Sequence, residues 1–225
     1  MAKQMPIVQS KLRHIVKVPE CIYDVSGINI NGKRIKSLVF STDVAIIANC
    51  NADAVIAVYP FTPTLQITKS IIEVAQKPVI AGVGGGTTSG ARVHKIALDA
   101  ELNGAAAVVL NAPTKTEFVQ DLAKIIDIPI VLTIVSLDEP LEERMLHSGA
   151  SIVNVSGGKE TVKIIKALRE IDASFPIIAT GGPSDETIKE VIAAGANAIT
   201  YTPPTNGEIF KEMMERYRIQ CSHHD

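Results

Sequence analysis

The chain has 225 residues, of which 46% are hydrophobic, 20% charged and 4% aromatic, with no Trp and a formal net charge of -2. That length suits one large core, about that of a single α/β barrel, and the charge balance offers no basic surface for nucleic acid or an anionic membrane. Mean hydropathy is +0.22, yet charged residues interrupt the chain before about 20 apolar residues accumulate, which excludes a membrane-spanning helix.

From Met1 to Lys17 the basic residues are scattered, with no apolar block and no small-residue cleavage site, so no secretory leader is expected. Cys21, Cys50 and Cys221 lie far apart, which predicts a reduced cytoplasmic protein without a disulfide framework. Residues 1–36 form an extension of the main domain. Within it, Ile28 to Ile35 carries an Asn31-Gly32 pair between apolar positions and predicts a β-hairpin that plugs the N-terminal end of the main domain.

Residues 37–225 contain a repeat. Pro78-Val79-Ile80-Ala81, Pro129-Ile130-Val131-Leu132 and Pro176-Ile177-Ile178-Ala179 are versions of one strand. A second kind alternates with it, at Gly104-Ala105-Ala106-Ala107, Gly149-Ala150-Ser151-Ile152 and Gly195-Ala196-Asn197-Ala198, with a weaker copy at Asn51-Ala52-Asp53-Ala54. Each kind recurs about every 45–50 residues. With Ser37-Leu38-Val39-Phe40 as the first, eight strands are predicted, near 37–41, 54–58, 78–82, 106–110, 129–134, 151–155, 176–180 and 197–201. They are apolar on both faces, as strands of a buried parallel sheet are. Helical spacing fills most gaps, for example Val93, Ile96, Ala97 and Ala100, or Val162, Ile165, Leu168 and Ile171. Alternating strands and helices in this number predict an α/β fold, a single (β/α)8 TIM barrel with the hairpin as N-terminal extension. Gly104 and Gly195 suit left-handed caps at helix ends.

In such barrels the site lies at the C-terminal strand tips. The loop after the third strand, Gly82 to Gly90, includes Gly84, Gly85, Gly86 and Thr87 and reads either as a second anion site or as a mobile lid. It is not a Walker loop, since no Gly-Lys-Ser or Gly-Lys-Thr follows. Ser156-Gly157-Gly158 and Thr180-Gly181-Gly182 fall on adjacent strands, where bare N–H groups and helix N-termini can hold one phosphate between them. Asn111, Asn154, Tyr201 and Thr202 stand at strand tips to orient a ligand, with Asp43 the acid–base candidate, although Asp43 also fits the start of a helix. Ser136 and Glu139 read as a capping box. No Lys falls within a predicted barrel strand, which argues against a Schiff-base aldolase, and no cluster has metal-ligand spacing. His14, His223 and His224 lie outside the barrel, and His94 and His147 fall in helices.

Ile177-Ile178-Ala179-Thr180-Gly181-Gly182, followed by Ala194-Gly195-Ala196-Asn197-Ala198, resembles the terminal phosphate-binding half of a wide barrel superfamily. That superfamily includes ribulose-phosphate-binding enzymes, histidine-biosynthesis barrels, inosine monophosphate dehydrogenase and nitronate monooxygenase. The resemblance implies that Gly181 and Gly182 hold a phosphate. The chain departs from the pattern at strand eight, where Thr202-Pro203-Pro204 replaces the usual Gly or Ser and Pro brings no N–H; the paired-Cys loop of the inosine monophosphate enzymes is also missing. Over nearly its full length the chain is similar to a bacterial TIM-barrel family of uncharacterised members, sometimes labelled hydrolase. Thr42-Asp43-Val44, Tyr59-Pro60-Phe61-Thr62-Pro63, Gly82-Val83-Gly84-Gly85-Gly86, Asn154-Val155-Ser156-Gly157-Gly158 and Tyr201-Thr202-Pro203-Pro204 carry that similarity. The expected function is an enzyme acting on a small phosphorylated metabolite, as hydrolase, lyase or isomerase. The alternatives are an FMN-dependent oxidoreductase and a non-catalytic ligand-binding barrel. Self-association into a homo-oligomer stays open.

Overall fold

The computed structural model describes residues 16–222. His14, His223 and His224 lie outside the described residues, as does the stretch before Val16.

The predicted hairpin is present as β1 (Ile28–Ile30) and β2 (Lys33–Ile35), paired antiparallel with Ile28 opposite Ile35. Its turn residues Asn31 and Gly32 have φ of 50° and 81°, the left-handed pair that matches strand twist in a two-residue turn. Ile28, Ile30 and Ile35 are buried in one cluster with Leu38, Ile56, Ile80, Val131 and Ile178. The hairpin therefore covers the barrel interior from below. Gly27 N–H donates to the Asn197 carbonyl at 2.8 Å, just ahead of the last strand.

Eight parallel strands close the barrel: β3 (Ser37–Phe40), β4 (Ala54–Ala57), β5 (Val79–Gly84), β6 (Ala107–Leu110), β7 (Ile130–Ile134), β8 (Ile152–Val155), β9 (Ile177–Thr180) and β10 (Ala198–Tyr201). Each lies within two residues of its expected ends. Closure comes from β10 pairing with β3, Ile199 opposite Ser37. One irregularity breaks the ladder. Between β5 and β6, Gly82 pairs Val109 and Gly84 pairs Leu110, so Val83 is the extra residue of a bulge that re-aims the chain beyond it.

Helices α1 (Val44–Ala48), α2 (Leu65–Ala75), α3 (Ala91–Leu102), α4 (Thr116–Leu122), α5 (Thr161–Ile171), α6 (Asp185–Ala193) and α7 (Asn206–Ser222) follow the strands. Between β7 and β8 the crossover is a π-helical turn, Glu143–His147, in place of a regular helix. Val93, Ile96, Ala97 and Ala100 of α3 are all buried, as their spacing predicts. In α5 the buried stripe is Thr161, Ile164, Ile165 and Leu168, with Val162 and Ile171 only partly covered. The buried face is thus rotated by about one position from the expected one, because Thr161 takes an inward place that hydropathy does not assign to it. Gly195 takes φ of 112° as a left-handed cap, and its carbonyl accepts from Arg169 Nε and Nη2 at 3.0 and 2.8 Å.

Among the described residues no helix is long and apolar enough to cross a membrane.

Candidate functional site

Along each barrel strand, side chains alternate between the barrel interior and the helix layer. Val131 and Thr133, Ile152 and Asn154, Ala198 and Thr200 are successive inward positions, apolar in the lower layer and polar in the upper one. The upper layer opens into a mouth cavity of about 290 Å³, lined by Phe40, Asn111, Thr133, Asn154, Ser156, Thr180, Thr200 and Thr202 together with Ile56 and Val58. No ionisable side chain is among them.

Two of these groups are poorly provided for. Asn154 is 8% exposed and Thr200 6%. Asn154 Nδ2 donates to Thr133 Oγ1 at 3.4 Å, while Asn154 Oδ1 and Thr200 Oγ1 are buried without a hydrogen-bond partner in the protein. A buried polar atom left so costs about 1–3 kcal/mol. Both residues line the polar mouth cavity.

The mouth widens into two flanking recesses. One, of about 410 Å³ and sharing Ser156 and Thr180 with the mouth, is lined also by Gly158, Lys159, Gly181, Gly182 and Glu190. The expected phosphate turns stand here, but their donors are fewer than the sequence implies. Gly157 N–H donates to Thr161 Oγ1 at 3.1 Å, and Gly181 N–H to the Thr200 carbonyl at 3.2 Å. Both glycines are small for packing reasons: a Cβ would meet Ile164 at 2.4 Å from Gly157 and Ile199 at 2.7 Å from Gly181. The N–H groups of Gly158 and Gly182, at φ of 57° and 82°, donate no hydrogen bond among the described residues. Asp185 and Glu186 occupy the first turn of α6 and offset its positive end, so Lys159 is the cation of this recess.

The other recess, of about 270 Å³, shares Val58 and Asn111 with the mouth and lies between the β4 loop and the β5 loop. Tyr59, Pro60, Phe61 and Pro63 form one wall and Gly84, Gly86 and Thr87 the other. Thr88 Oγ1 donates to Thr62 Oγ1 at 3.3 Å and joins the two loops. Gly84 carbonyl accepts from Asn111 N–H at 2.8 Å, and Gly85 N–H donates to the Thr88 carbonyl at 2.9 Å. A Cβ on Gly85 would lie 2.1 Å from the Asn111 carbonyl oxygen. The first half of the loop is thus pressed onto the β6 tip, and no cationic side chain lines this recess.

The structure brings Asn111, Asn154, Ser156, Thr180 and Thr202 into the mouth, Gly84, Gly86 and Thr87 into one recess and Gly158, Gly181 and Gly182 into the other. Four expected residues stand apart. Tyr201 alternates with inward Thr200 and Thr202, so it packs outward against the core that contains Cys50, and burial pushes its phenol pKa up. Asp43 is the N-cap of α1, where one carboxylate oxygen accepts from Ala45 and Ile46 N–H at 2.8 and 3.2 Å. Gly157 lies behind the turn, and Gly85 borders a neighbouring cavity with Phe118.

Sequence patterning does not single out Thr133 and Thr200 for the site, although Thr133 is the one polar position in an otherwise aliphatic strand and Thr200 stands beside Tyr201 in β10. Arg144 has no sequence signal at all. It is buried in the π-helical turn, paired with Glu139, and donates to the Thr114 and Thr133 carbonyls at 2.6 and 3.2 Å. Glu139 also accepts from Val135 and Ser136 N–H, but no helix starts at Ser136 and its hydroxyl accepts from Asp138 N–H, so the expected capping box is not formed. Among the described residues no group of His, Cys, Asp and Glu is placed to hold a metal ion.

No family model matches the sequence, and no curated protein does either. Solved structures share the fold. A 2,3-dimethylmalate lyase, a PEP mutase/isocitrate lyase superfamily member, has 14% identity and a TM-score of 0.59, over 91% of this chain and 85% of that one. Phosphoenolpyruvate phosphomutase from Streptomyces platensis subsp. rosaceus has 12% identity and a TM-score of 0.61, over 88% and 83%. Dihydrodipicolinate synthase from Rhodopseudomonas palustris has 16% identity and a TM-score of 0.56, over 73% and 69%. At such identities the likeness is one of architecture, and that architecture is the closed α/β barrel.

Proposed function

We propose that this barrel is an enzyme acting on a small phosphorylated metabolite, of the lyase or isomerase kind. The observation that carries the reading is the pair of buried, unpartnered atoms, Asn154 Oδ1 and Thr200 Oγ1, on two residues that line a polar cavity at the C-terminal end of the barrel. The phosphate would sit in the recess beside Gly158, Gly182 and Lys159, and the reacting part in the mouth against Asn111 and Asn154. Neutral amide and hydroxyl groups fixed in a half-buried cavity suit stabilising charge that develops on a substrate oxygen. They do not suit Schiff-base chemistry, since no Lys reaches the mouth. The lyase and the mutase that share the architecture fit this class of reaction. Thermal-shift titration of the full chain with ribose 5-phosphate, glycerol phosphate and phosphoenolpyruvate tests it, with Lys159→Ala and Asn154→Leu as controls. A shift present in the native protein and lost in both variants is expected. No shift with any of these phosphates would count against the reading.

One observation favours a second reading, a ligand-binding barrel without catalysis: the mouth lining contains no titratable side chain. Turnover of a bound phosphate ester that Asn154→Leu abolishes would eliminate it.

A further inference from the structure

The recess between the β4 and β5 loops differs from the rest of the mouth. It is a slot with two walls. Phe61 stands on its rim with 75% of its surface exposed, an unusual position for a large aromatic side chain, and Tyr59 is pinned beside it because its hydroxyl accepts from Thr64 N–H at 2.8 Å. Pro60 and Pro63 stiffen that wall. The facing wall is backbone at Gly84 and Gly86, with Thr87 and Thr88 beside it. Gly85 is glycine because Asn111 leaves no room for a Cβ, but Gly86 has no such reason. The nearest atom to a Cβ there is the Ala112 carbonyl oxygen at 3.9 Å, and its φ is not left-handed. Gly86 lines the slot, and a side chain there would have open space around it.

We infer that this slot holds a planar, uncharged heteroaromatic ring of the ligand, stacked between Phe61 and the Gly84–Gly86 backbone, with an amide-type edge turned to Asn111. Flatness follows from the two walls, and neutrality from a lining without any charged side chain. The edge follows from Asn111, whose carboxamide makes no hydrogen bond among the described residues and can both donate and accept. A cavity of about 270 Å³ takes a ring system and little more. The inference rests on the proposed function in one respect: ring and phosphate belong to one ligand, joined across the mouth by a hydroxylated linker facing Thr133, Asn154 and Thr200. Nucleoside bases and the flavin ring share this chemistry.

Saturation-transfer NMR on the full chain, with uridine, inosine and riboflavin as probes and ribose 5-phosphate as the ring-free control, tests the slot. At least one ring probe is expected to receive saturation on its ring protons, and which one does so separates a base from a flavin. Gly86→Leu, which fills the slot, and Phe61→Ala, which removes its rim, are each expected to weaken that probe at least tenfold while leaving ribose 5-phosphate unaffected. Unchanged melting temperatures show that both variants fold. The inference is overturned if no ring probe is saturated, or if Gly86→Leu binds the ring as the native chain does. Ring binding without any response to ribose 5-phosphate upholds the slot and sinks the phosphate reading instead.

Discussion

Arg144 Nε lies 2.7 Å from Glu139 Oε2, with only 6% and 18% of the two side chains exposed. The contact is ionic rather than an aligned hydrogen bond, since Nε finds no partner of hydrogen-bonding geometry. Its consequence reaches the site. Arg144 Nη1 donates to the Thr114 carbonyl, and Thr114 Oγ1 donates to the Asn111 carbonyl at 2.6 Å; Arg144 Nη2 donates to the carbonyl of Thr133. One buried cation thus holds the tips of β6 and β7, and with them two residues of the mouth. The π-helical turn re-aims the side chain inward from a segment whose exposed residues meet solvent.

Removing Glu139 leaves that cation uncompensated. Glu139→Ala is expected to cost about 3–5 kcal/mol in urea denaturation. A loss below about 1 kcal/mol would show that the pair is screened like a surface bridge.

Thr200→Val removes a buried hydroxyl that has no partner while keeping the side-chain shape. The variant is expected to match the native stability or exceed it by about 1 kcal/mol, and to lose ligand affinity. Such a trade marks groups placed for a ligand rather than for the fold. A clear destabilisation would mean that the hydroxyl is satisfied within the free protein.

Adjacent glycines in the β5 loop should respond in opposite ways. Gly85 has φ of 110° and no space for a methyl group, so Gly85→Ala is expected to cost about 3 kcal/mol or more. Gly86→Ala is expected to stay within about 0.5 kcal/mol of the native chain. Equal effects at the two positions would contradict the tethering of this loop to Asn111.

Asp172 is held below the usual carboxylate range by the Ser174 hydroxyl and the backbone N–H of Ser174, with smaller help from Phe175 N–H and Arg169. A depressed folded-state pKa stabilises above the ordinary Asp range, and that stabilisation is lost as pH falls through the folded value. Melting curves of the native chain and Asp172→Asn from pH 7 to pH 3 should therefore differ most at neutral pH and converge on the acid side. A gap that stays constant with pH would assign the effect to shape rather than charge.

The strands were legible because each is a run of Val, Ile and Ala recurring at a fixed distance, and the repeat count alone calls for closure. The hairpin was legible for a similar reason, since Asn31-Gly32 can form few other turns. The glycine turns of the recess beside Lys159 were legible as positions but not as donors. Whether Gly157 and Gly181 offer an N–H or spend it depends on Thr161 and on the Thr200 carbonyl, which are neighbours only in the folded chain.

By itself the sequence determined the number and order of the barrel strands and the hairpin before them, because these follow from local periodicity and turn chemistry. Only the closed barrel decided which strand-tip residues face the mouth. Parallel strands buried on both sides are apolar on both sides, so hydropathy carries no parity, and Tyr201 and Thr200 look equally suited to a ligand. Pairing β10 with both β9 and β3 fixes that parity, turning Thr200 inward and Tyr201 out. The same closure buries Arg144 against Thr133 and brings Asn154 beside it, setting polar atoms in a cavity that no single segment could form.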